Sequence, residues 1–368
     1  MSVQLFDAHV SEAGQAAAVA VLASGQIGGG PYVASLEAAL EAVLPGYKGV
    51  TFANMTAAIE SALVLGGVGP GDDVLSLAFN CLSSNAAIQN CGARMIWVDL
   101  DLETGTMDVD DARAQITAKT KAIIVYHIAG YPADTAALRA LCDELGLILI
   151  EDANAAYGAR LTGGQPAGSL GDFSVFSFYA NRQINGAEGA ILMCRDSGVA
   201  ELARRHRRFG IDLSNFRDSR GEINPKADVT RIGIAGNLNN LNAAIALVSL
   251  ETVDARLDKV RRNAAALAEG LASVSGVRAV APLAGSEPAY WVFMVLAERQ
   301  NRVLDHLSAR GIGRTKLHQP NQVYSGFASA VRPLPATQQF SVSMVGLPVG
   351  WWLGLGDVDK ILAALKSV

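Results

Sequence analysis

Two charged residues, Asp152 and Arg182, each follow a stretch of sequence that is typical of a buried β-strand. Asp152 closes the apolar run ILIED, and Arg182 lies in a polar loop after the run FSVFSF at residues 173–178. Open α/β sheets bind ligands at the carboxyl ends of their strands. We therefore expect both side chains to face one crevice, where Asp152 could transfer a proton and Arg182 could bind an anion.

Tyr157 and His127 are the other acid–base or hydrogen-bonding groups that we predict for this crevice. His127 ends an apolar run, and a histidine with a purely structural role is an equally good interpretation. Glu188 follows Arg182 by six residues and could pair with it, as could Asp152 across the crevice. Two interpretations of Arg182 stay open: an inert ion pair, or a binding site for a carboxylate, phosphate or oxyanion.

Alternating strands and helices must position these residues. From residue 50 to Asp152, apolar strand-like runs alternate with helix-like segments of about 10–15 residues. This alternation predicts a mostly parallel sheet with helices on both faces. The spacing between Ile150 and Phe173 departs from the pattern, so that it could turn the edge of the sheet or reverse a strand.

The last third of the sequence predicts a second, smaller unit. Leu241–Leu271 has the apolar spacing of one long amphipathic helix. The segments that follow mix strand and helix patterns, as α+β domains do. We predict a large α/β domain over residues 1–245, and a linking helix with a small α+β domain over residues 246–368.

Composition and charge exclude several classes of protein. Half of the 368 residues are hydrophobic and 18% are charged, which is typical of a well-packed globular protein. The net charge of −5 gives no overall field that would favour nucleic acid or an acidic membrane. The four cysteines form no metal-binding pattern, and the sequence contains neither a signal peptide nor a membrane span. We expect a cytoplasmic protein without a metal site.

Several long segments, in a consistent order, resemble the DegT/StrS family of sugar aminotransferases, which are fold-type I pyridoxal-phosphate (PLP) enzymes. They span nearly the whole chain and include GPGDDVLSLAF, KAIIVYHIAGYPADTAALRALCDELGLILIEDA, GSLGDFSVFSFY and LPVGWWLGLGDVDKI. The resemblance implies a fold-type I aminotransferase-like α/β fold with a smaller C-terminal α+β domain. It also implies a dimer, PLP or its amine form as cofactor, and a nucleotide-linked keto-sugar or an aminocyclitol precursor as substrate.

The resemblance also assigns cofactor-binding positions, which we compare one by one. The carboxylate that pairs with the PLP ring nitrogen corresponds to Asp152, which is present. A serine and a threonine that bind the cofactor phosphate correspond to Ser177 and Thr56, also present. The glycine before that threonine is replaced by Met55, and the aromatic residue that stacks on the ring is replaced by Cys81.

The lysine that forms the Schiff base corresponds to Arg182. A guanidinium has a pKa above about 12 and stays protonated, so Arg182 cannot form an ordinary aldimine. The glutamine that usually follows the aspartate is replaced by Ala155. Lys226 and Lys316 are the nearest lysines downstream, and neither lies in the expected context. We therefore predict that covalent PLP is absent.

His318 lies in TKLHQPNQVY, a divergent form of the family's substrate loop. The resemblance implies that it contacts the substrate, and a histidine in a surface loop is the alternative. We predict that Arg182 and Glu188 also contact the substrate.

Three functions are open at this point. The first is a biosynthetic enzyme that works without a Schiff-base lysine and without PLP, with a sugar-like, carboxylate or phosphate ligand in the former cofactor and substrate crevice. The second is a non-catalytic partner subunit that forms a heterodimer with an active paralogue instead of a homodimer. The third is a conventional PLP-dependent sugar aminotransferase.

Overall fold

The structure, a computed structural model, describes residues 2–368 apart from the side chains of residues 328–330. The helices are α1 (Glu12–Ser24), α2 (Pro31–Val43), α3 (Met55–Leu65), α4 (Leu82–Asn90), α5 (Val109–Gln115), α6 (Thr135–Leu145), α7 (Ser197–His206), α8 (Asn240–Leu250), α9 (Val253–Leu271), α10 (Gln300–Ala309), α11 (Pro335–Ser343) and α12 (Asp357–Lys366). The strands are β1 (Lys48–Phe52), β2 (Asp73–Leu77), β3 (Arg94–Val98), β4 (Thr120–Tyr126), β5 (Ile148–Asp152), β6 (Phe173–Ser177), β7 (Ala190–Cys194), β8 (Val277–Ala279), β9 (Phe293–Ala297) and β10 (Met344–Leu347).

The larger sheet has the strand order β1-β7-β6-β5-β4-β2-β3. Strands β2 to β6 pair in parallel, and β7 is antiparallel to both of its neighbours. The predicted α/β fold with a mostly parallel sheet is therefore confirmed. The irregular segment 153–172 does not reverse the direction of the next strand, because β6 is parallel to β5. The carboxyl ends of β4, β5 and β6 consequently meet at one edge, which carries Asp152.

Helices cover both faces of this sheet, and alternate residues of each strand point to opposite faces. Ile150 and Val175 belong to the core beneath α3, α4 and α7. Leu149 packs in a second core with α5 and α6, and Phe176 in a third with α2 and α8. Asp152 shares its direction with Ile150, so its carboxylate points to the first of these faces.

A smaller antiparallel sheet has the order β10-β9-β8 and packs with α9, α10 and α12 around a separate core. The single long helix predicted over Leu241–Leu271 is wrong, because α8 ends at Leu250 and α9 begins at Val253. The Ser249 carbonyl accepts hydrogen bonds from the side chains of Thr252 and Arg256 instead of continuing the helical pattern. The domain boundary near residue 245 stays a prediction.

The N-terminal segment joins the smaller sheet to the crevice edge of the larger one. Val3 N donates to the Gly311 carbonyl at 2.9 Å, and Gly313 N donates to the Val3 carbonyl at 2.8 Å. Three residues later, Phe6 stacks on the Trp291 ring with centroids 4.5 Å apart. No helix among the described residues is long and apolar enough to cross a membrane.

Candidate active site

Asp152 is fully buried at the end of β5, and both of its carboxylate oxygens accept hydrogen bonds. Ser84 Oγ, in α4, donates to Oδ2 at 2.6 Å. Asn154 donates to Oδ1 from its side-chain amide at 2.9 Å and from its backbone N–H at 3.3 Å. Burial raises the pKa of Asp152 above its usual value, against the effect of these donors. Burial thus makes the charged form of this carboxylate less favourable than it is in water.

Arg182 contacts an amide and an aromatic ring instead of a carboxylate. Its Nη1 donates to Asn181 Oδ1 at 2.7 Å, and its guanidinium carbon lies 4.1 Å from the centroid of the Trp291 ring. Its Nε is buried without a hydrogen-bond partner among the described residues. The ion pairs considered for Arg182 do not form: Asp152 bonds to Ser84 and Asn154, and Glu188 is exposed and accepts from the Gly189 N–H.

No lysine stands in for Arg182 in the described chain. The sequence contains none between Lys121 and Lys226. Lys226 is exposed in a loop, and Lys316 is exposed and donates to Asn301 Oδ1 at 2.9 Å. The crevice therefore has a permanent positive charge at Arg182, although burial lowers the pKa of that guanidinium from its usual value.

A tyrosine and a histidine form another wall of the crevice. The Tyr126 hydroxyl lies 3.1 Å from His318 Nε2, and Phe79 packs edge-on against the imidazole at 5.5 Å. Burial, and secondly the charge of Arg182, lowers the pKa of His318 to about 3, so the ring is neutral near pH 7. His318 is half-buried beside Arg182 instead of lying in a surface loop. The sequence prediction missed Tyr126, whose position at the end of β4 was the available signal.

Cys81 and Thr56 converge on Ser83 at the start of α4. Cys81 Sγ lies 3.0 Å from Ser83 Oγ, and Thr56 Oγ1 donates to the Ser83 carbonyl at 3.4 Å. Cys81 and Asp152 each oppose the fall in the pKa of Arg182 that burial causes. Both residues therefore lie within electrostatic range of the Arg182 guanidinium.

Met55 and Ser177 border this region with less direct contacts. Met55 is the buried first residue of α3, which Asn54 caps by accepting from the Ala57 N–H at 2.9 Å. Ser177 Oγ accepts from the Tyr179 N–H at 3.2 Å. Because Val175 pairs with Asp152, Ser177 points to the same face of the sheet as that carboxylate.

The side chains of His127 and Tyr157 lie on the opposite face, away from the Asp152 carboxylate, although the His127 N–H donates to the Asp152 backbone carbonyl at 3.1 Å. His127 Nε2 is 2.9 Å from Glu151 Oε2, and its Nδ1 accepts from the Ala133 N–H at 3.2 Å. Tyr157 packs edge-on against Phe176 with ring centroids 6.0 Å apart. The acid–base roles predicted for these two residues in the crevice are not supported, because the His127 imidazole bonds to Glu151 and Tyr157 packs in the core on the other face.

Two residues of the crevice could not be found from sequence patterns. Asn154 corresponds to none of the cofactor-binding positions that the family resemblance assigns, yet its side-chain amide donates to Asp152 Oδ1. Trp291 donates from Nε1 to the Asn181 carbonyl at 2.8 Å and supports the Arg182 guanidinium, although it lies far away in the chain. Among the residues with described positions, no group of three or more His, Cys, Asp or Glu side chains could hold a metal ion.

Comparisons with known proteins place these observations in a family. Residues 9–366 match the DegT/DnrJ/EryC1/StrS aminotransferase family. The GDP-perosamine synthase of Caulobacter vibrioides is 31% identical over 324 residues, which cover 86% of this chain and 84% of that protein.

Two solved structures agree over the whole chain. AtS13 from Actinomadura melliaura is 34% identical, with a TM-score of 0.93 and coverage of 100% of this chain and 99% of its own. The sugar aminotransferase CalS13 from Micromonospora echinospora is 31% identical, with a TM-score of 0.93 and coverage of 99% of both chains. These likenesses confirm the fold-type I architecture.

Proposed function

The chain belongs to the DegT/DnrJ/EryC1/StrS aminotransferase family, and from this membership we propose that it is a biosynthetic enzyme that works without a Schiff-base lysine. Its ligand binds in the crevice between Asp152, Cys81, His318 and Arg182. The single observation that carries the proposal is Arg182, a crevice guanidinium that no carboxylate of the described residues neutralises.

The family implies PLP or its amine form as cofactor, but the residues of this crevice do not fit covalently bound PLP. Arg182 cannot lose its proton and attack an aldehyde. The oxygens of Asp152 already accept from Ser84 and Asn154, and Cys81 offers a thiol where a stacking ring would be needed. The proposed reaction therefore includes no step on covalently bound PLP.

Two groups of the crevice can act on a bound substrate. The guanidinium of Arg182, held in place by Trp291 and Asn181, would stabilise negative charge that develops on a substrate oxygen. Asp152 would transfer a proton to or from the substrate, since burial raises its pKa above the usual value. The neutral His318 and Tyr126 would hydrogen-bond to the substrate and keep the positive charge confined to Arg182.

For the substrate class we propose a nucleotide-linked sugar. The relative from Caulobacter vibrioides is named for making a GDP-linked sugar, and the unpaired charge of Arg182 suits the phosphate, carboxylate or oxyanion of such a ligand. Asn181 and Gln183 flank Arg182 and offer further amide groups; Gln183 Oε1 is buried without a partner among the described residues.

A test for the cofactor uses absorbance and borohydride. We expect purified protein to show no aldimine band when PLP is added, and no lysine to become labelled after reduction. The Arg182→Lys variant should not regain the band, because Cys81 and Ala155 are unchanged. Borohydride labelling of a lysine in the wild-type protein would show instead a conventional PLP-dependent aminotransferase.

A second test measures ligand binding directly, with GDP-mannose as the probe in titration calorimetry. Arg182→Gln should weaken its affinity about tenfold or more, because a charge-assisted contact in a partly buried crevice is lost. The matched control is Arg113→Gln, an exposed arginine paired with Glu144 on another helix, which should leave the affinity unchanged. Equal affinity in all three proteins would contradict the role of Arg182.

We propose further that a second chain covers the segment 207–236. This segment exposes large apolar side chains: Phe209 by 53%, Leu213 by 62%, Ile223 by 61% and Ile232 by 77%. Exposed apolar clusters of this kind are typical of protein interfaces. Native mass spectrometry should give a homodimer. A monomer that dimerises only with an active paralogue would favour the non-catalytic partner function.

A further inference from the structure

A cavity of about 160 Å³ lies on the face of the large sheet opposite to Asp152. Its walls are the end of α2, the segment 157–167, strands β6 and β7, and the first turns of α9. Apolar side chains make up most of the lining, among them Leu44, Phe176, Met193 and Leu257. These belong to the core on that face and not to the core beneath α3, α4 and α7.

The cavity is fixed by a close approach of α9 to the loop after β5. Gly158 has φ +81°, a conformation that other residues rarely adopt, and a Cβ on it would meet Leu257 Cδ1, so any larger residue here would be strained and would displace the Leu257 side chain. Arg261 Nη2 donates to the Gly158 carbonyl at 2.7 Å, and the same guanidinium pairs with Glu287 at 2.7 Å. These contacts fix the position of the wall, and the ion pair with Glu287 neutralises the charge of Arg261.

Two polar groups of the lining have no hydrogen-bond or ion-pair partner among the described side chains. The Tyr157 side chain is 9% exposed, and its hydroxyl makes no hydrogen bond with any described residue. Asp254, in the first turn of α9, lines the same cavity and pairs with no cation of the described chain. Burial, and secondly the charge of Asp254, raises the pKa of Tyr157 to about 12, so its hydroxyl keeps its proton as a hydrogen-bond donor.

Size and charge define what the cavity would take. An apolar cavity of about 150 Å³ engineered into another protein stays dry and binds benzene, so a single six-membered ring is the right size here. Asp254 and Arg160 both line the cavity, are exposed and have opposite charges, so the lining favours neither an anion nor a cation. The unpartnered phenol favours a ligand with one hydrogen-bond acceptor. A nucleotide-linked sugar satisfies neither condition, which separates this cavity from the crevice at Arg182.

We propose that this cavity is a second binding site, for an uncharged ring-sized organic compound whose hydroxyl or carbonyl group bonds to Tyr157. The segment 153–159 connects the two sites: it begins after Asp152, carries Tyr157, and its Ala155 carbonyl accepts from Gln183 Nε2 at 2.6 Å. A ligand on Tyr157 therefore contacts the backbone segment that also holds the residue next to Arg182.

The experiment titrates the full-length protein with phenol and, separately, with benzene, and follows methyl resonances by NMR. Phenol should shift Met193 and Leu257 and leave Met55, on the other face, unchanged. In Tyr157→Phe the phenol affinity should fall about fivefold, as expected for one lost hydrogen bond, while the benzene affinity stays the same. Ala167→Leu, which fills the cavity, should weaken both probes by tenfold or more.

Two outcomes would overturn the proposal, and neither depends on the activity of the crevice. One is that phenol binds Tyr157→Phe as tightly as the wild-type protein. The other is that phenol shifts Met55 and not Met193, which would place it in the crevice. If Ala167→Leu does not fold, the comparison of phenol with benzene in Tyr157→Phe still decides the question. Thr56→Val, in the crevice, is the matched control and should bind both probes normally.

Discussion

Glu151 and Asp152 are neighbours on one strand and have opposite surroundings. The Glu151 carboxylate accepts from His127 and from the N–H groups of Gly168, Leu170 and Gly171. Although burial opposes it, the hydrogen bond from His127 lowers the pKa of Glu151 below its usual value.

Asp152 is as deeply buried, but among the described residues only Ser84 and Asn154 donate to its carboxylate, and its pKa is raised. A carboxylate whose acceptors are all filled holds the fold together, and here it fixes the loop at residues 168–171. A carboxylate with fewer donors is strained in its charged form and is available for chemistry. Glu151 thus supports the fold on one face of the sheet, and Asp152 belongs to the candidate active site on the other.

The largest effect should separate the two carboxylates themselves. Glu151→Gln should lower the free energy of unfolding by about 3 kcal/mol, because the amide nitrogen that replaces one carboxylate oxygen cannot accept hydrogen bonds and leaves buried donors without a partner. Asp152→Asn should change it by less than about 1 kcal/mol, since burial already disfavours the charge that is removed. Urea unfolding of both variants near pH 7 measures the difference. Equal losses would mean that Asp152 is as structural as Glu151.

A second experiment concerns His318, on the Asp152 face. Its pKa is lowered from 6.5 to about 3 in the folded protein, so the unfolded chain takes up a proton first as the pH falls. Stability should therefore decline on acidification below about pH 6.5, and by about 2 kcal/mol at pH 5 through this residue alone.

The measurement is urea unfolding of the wild-type protein and of His318→Gln at about pH 7.5 and pH 5. The variant should lose about 2 kcal/mol less than the wild type between these two conditions. Parallel losses would show that the imidazole is accessible to solvent and does not share the crevice with Arg182.

The smallest expected effect compares two tyrosines on the structural face. The Tyr47 hydroxyl donates to the Gly171 carbonyl at 2.6 Å and accepts from Arg195 Nη2 at 3.1 Å, so Tyr47→Phe should cost about 1–2 kcal/mol of stability. Tyr157→Phe removes a hydroxyl without a partner in the described chain and should cost less than about 0.5 kcal/mol. Thermal unfolding of both variants tests this ranking. A larger loss for Tyr157→Phe would indicate that its hydroxyl already bonds within the protein.

The fold could be predicted from local patterns because each element from β2 to β6 carries its own signal. The run ILIED placed Asp152 at a strand end, and the loop after FSVFSF placed Arg182 beside it. The same reasoning failed for His127. Tyr126 and His127 at the end of β4 are both buried, so the sequence does not show which of the two points to the face of Asp152. Tyr126, one residue earlier, is the side chain that meets His318.

Other parts of the site depend on contacts that no local pattern encodes. Trp291 reaches Arg182 only because the small sheet packs against the edge of the large one. The break between α8 and α9 follows from side chains that take the Ser249 carbonyl, within a stretch whose apolar spacing is continuous. Such features arise from tertiary packing, which overrides local propensity.

The stack of Phe6 on Trp291, with Arg182 on the same ring, sets an order of events during synthesis. Residues 3–6 are translated long before Trp291 and before the stretch 311–313 that binds Val3. Until Trp291 has left the ribosome, the ring on which Phe6 and Arg182 both pack is missing. The large sheet can form earlier, but the guanidinium reaches its final place only when nearly the whole chain has been made.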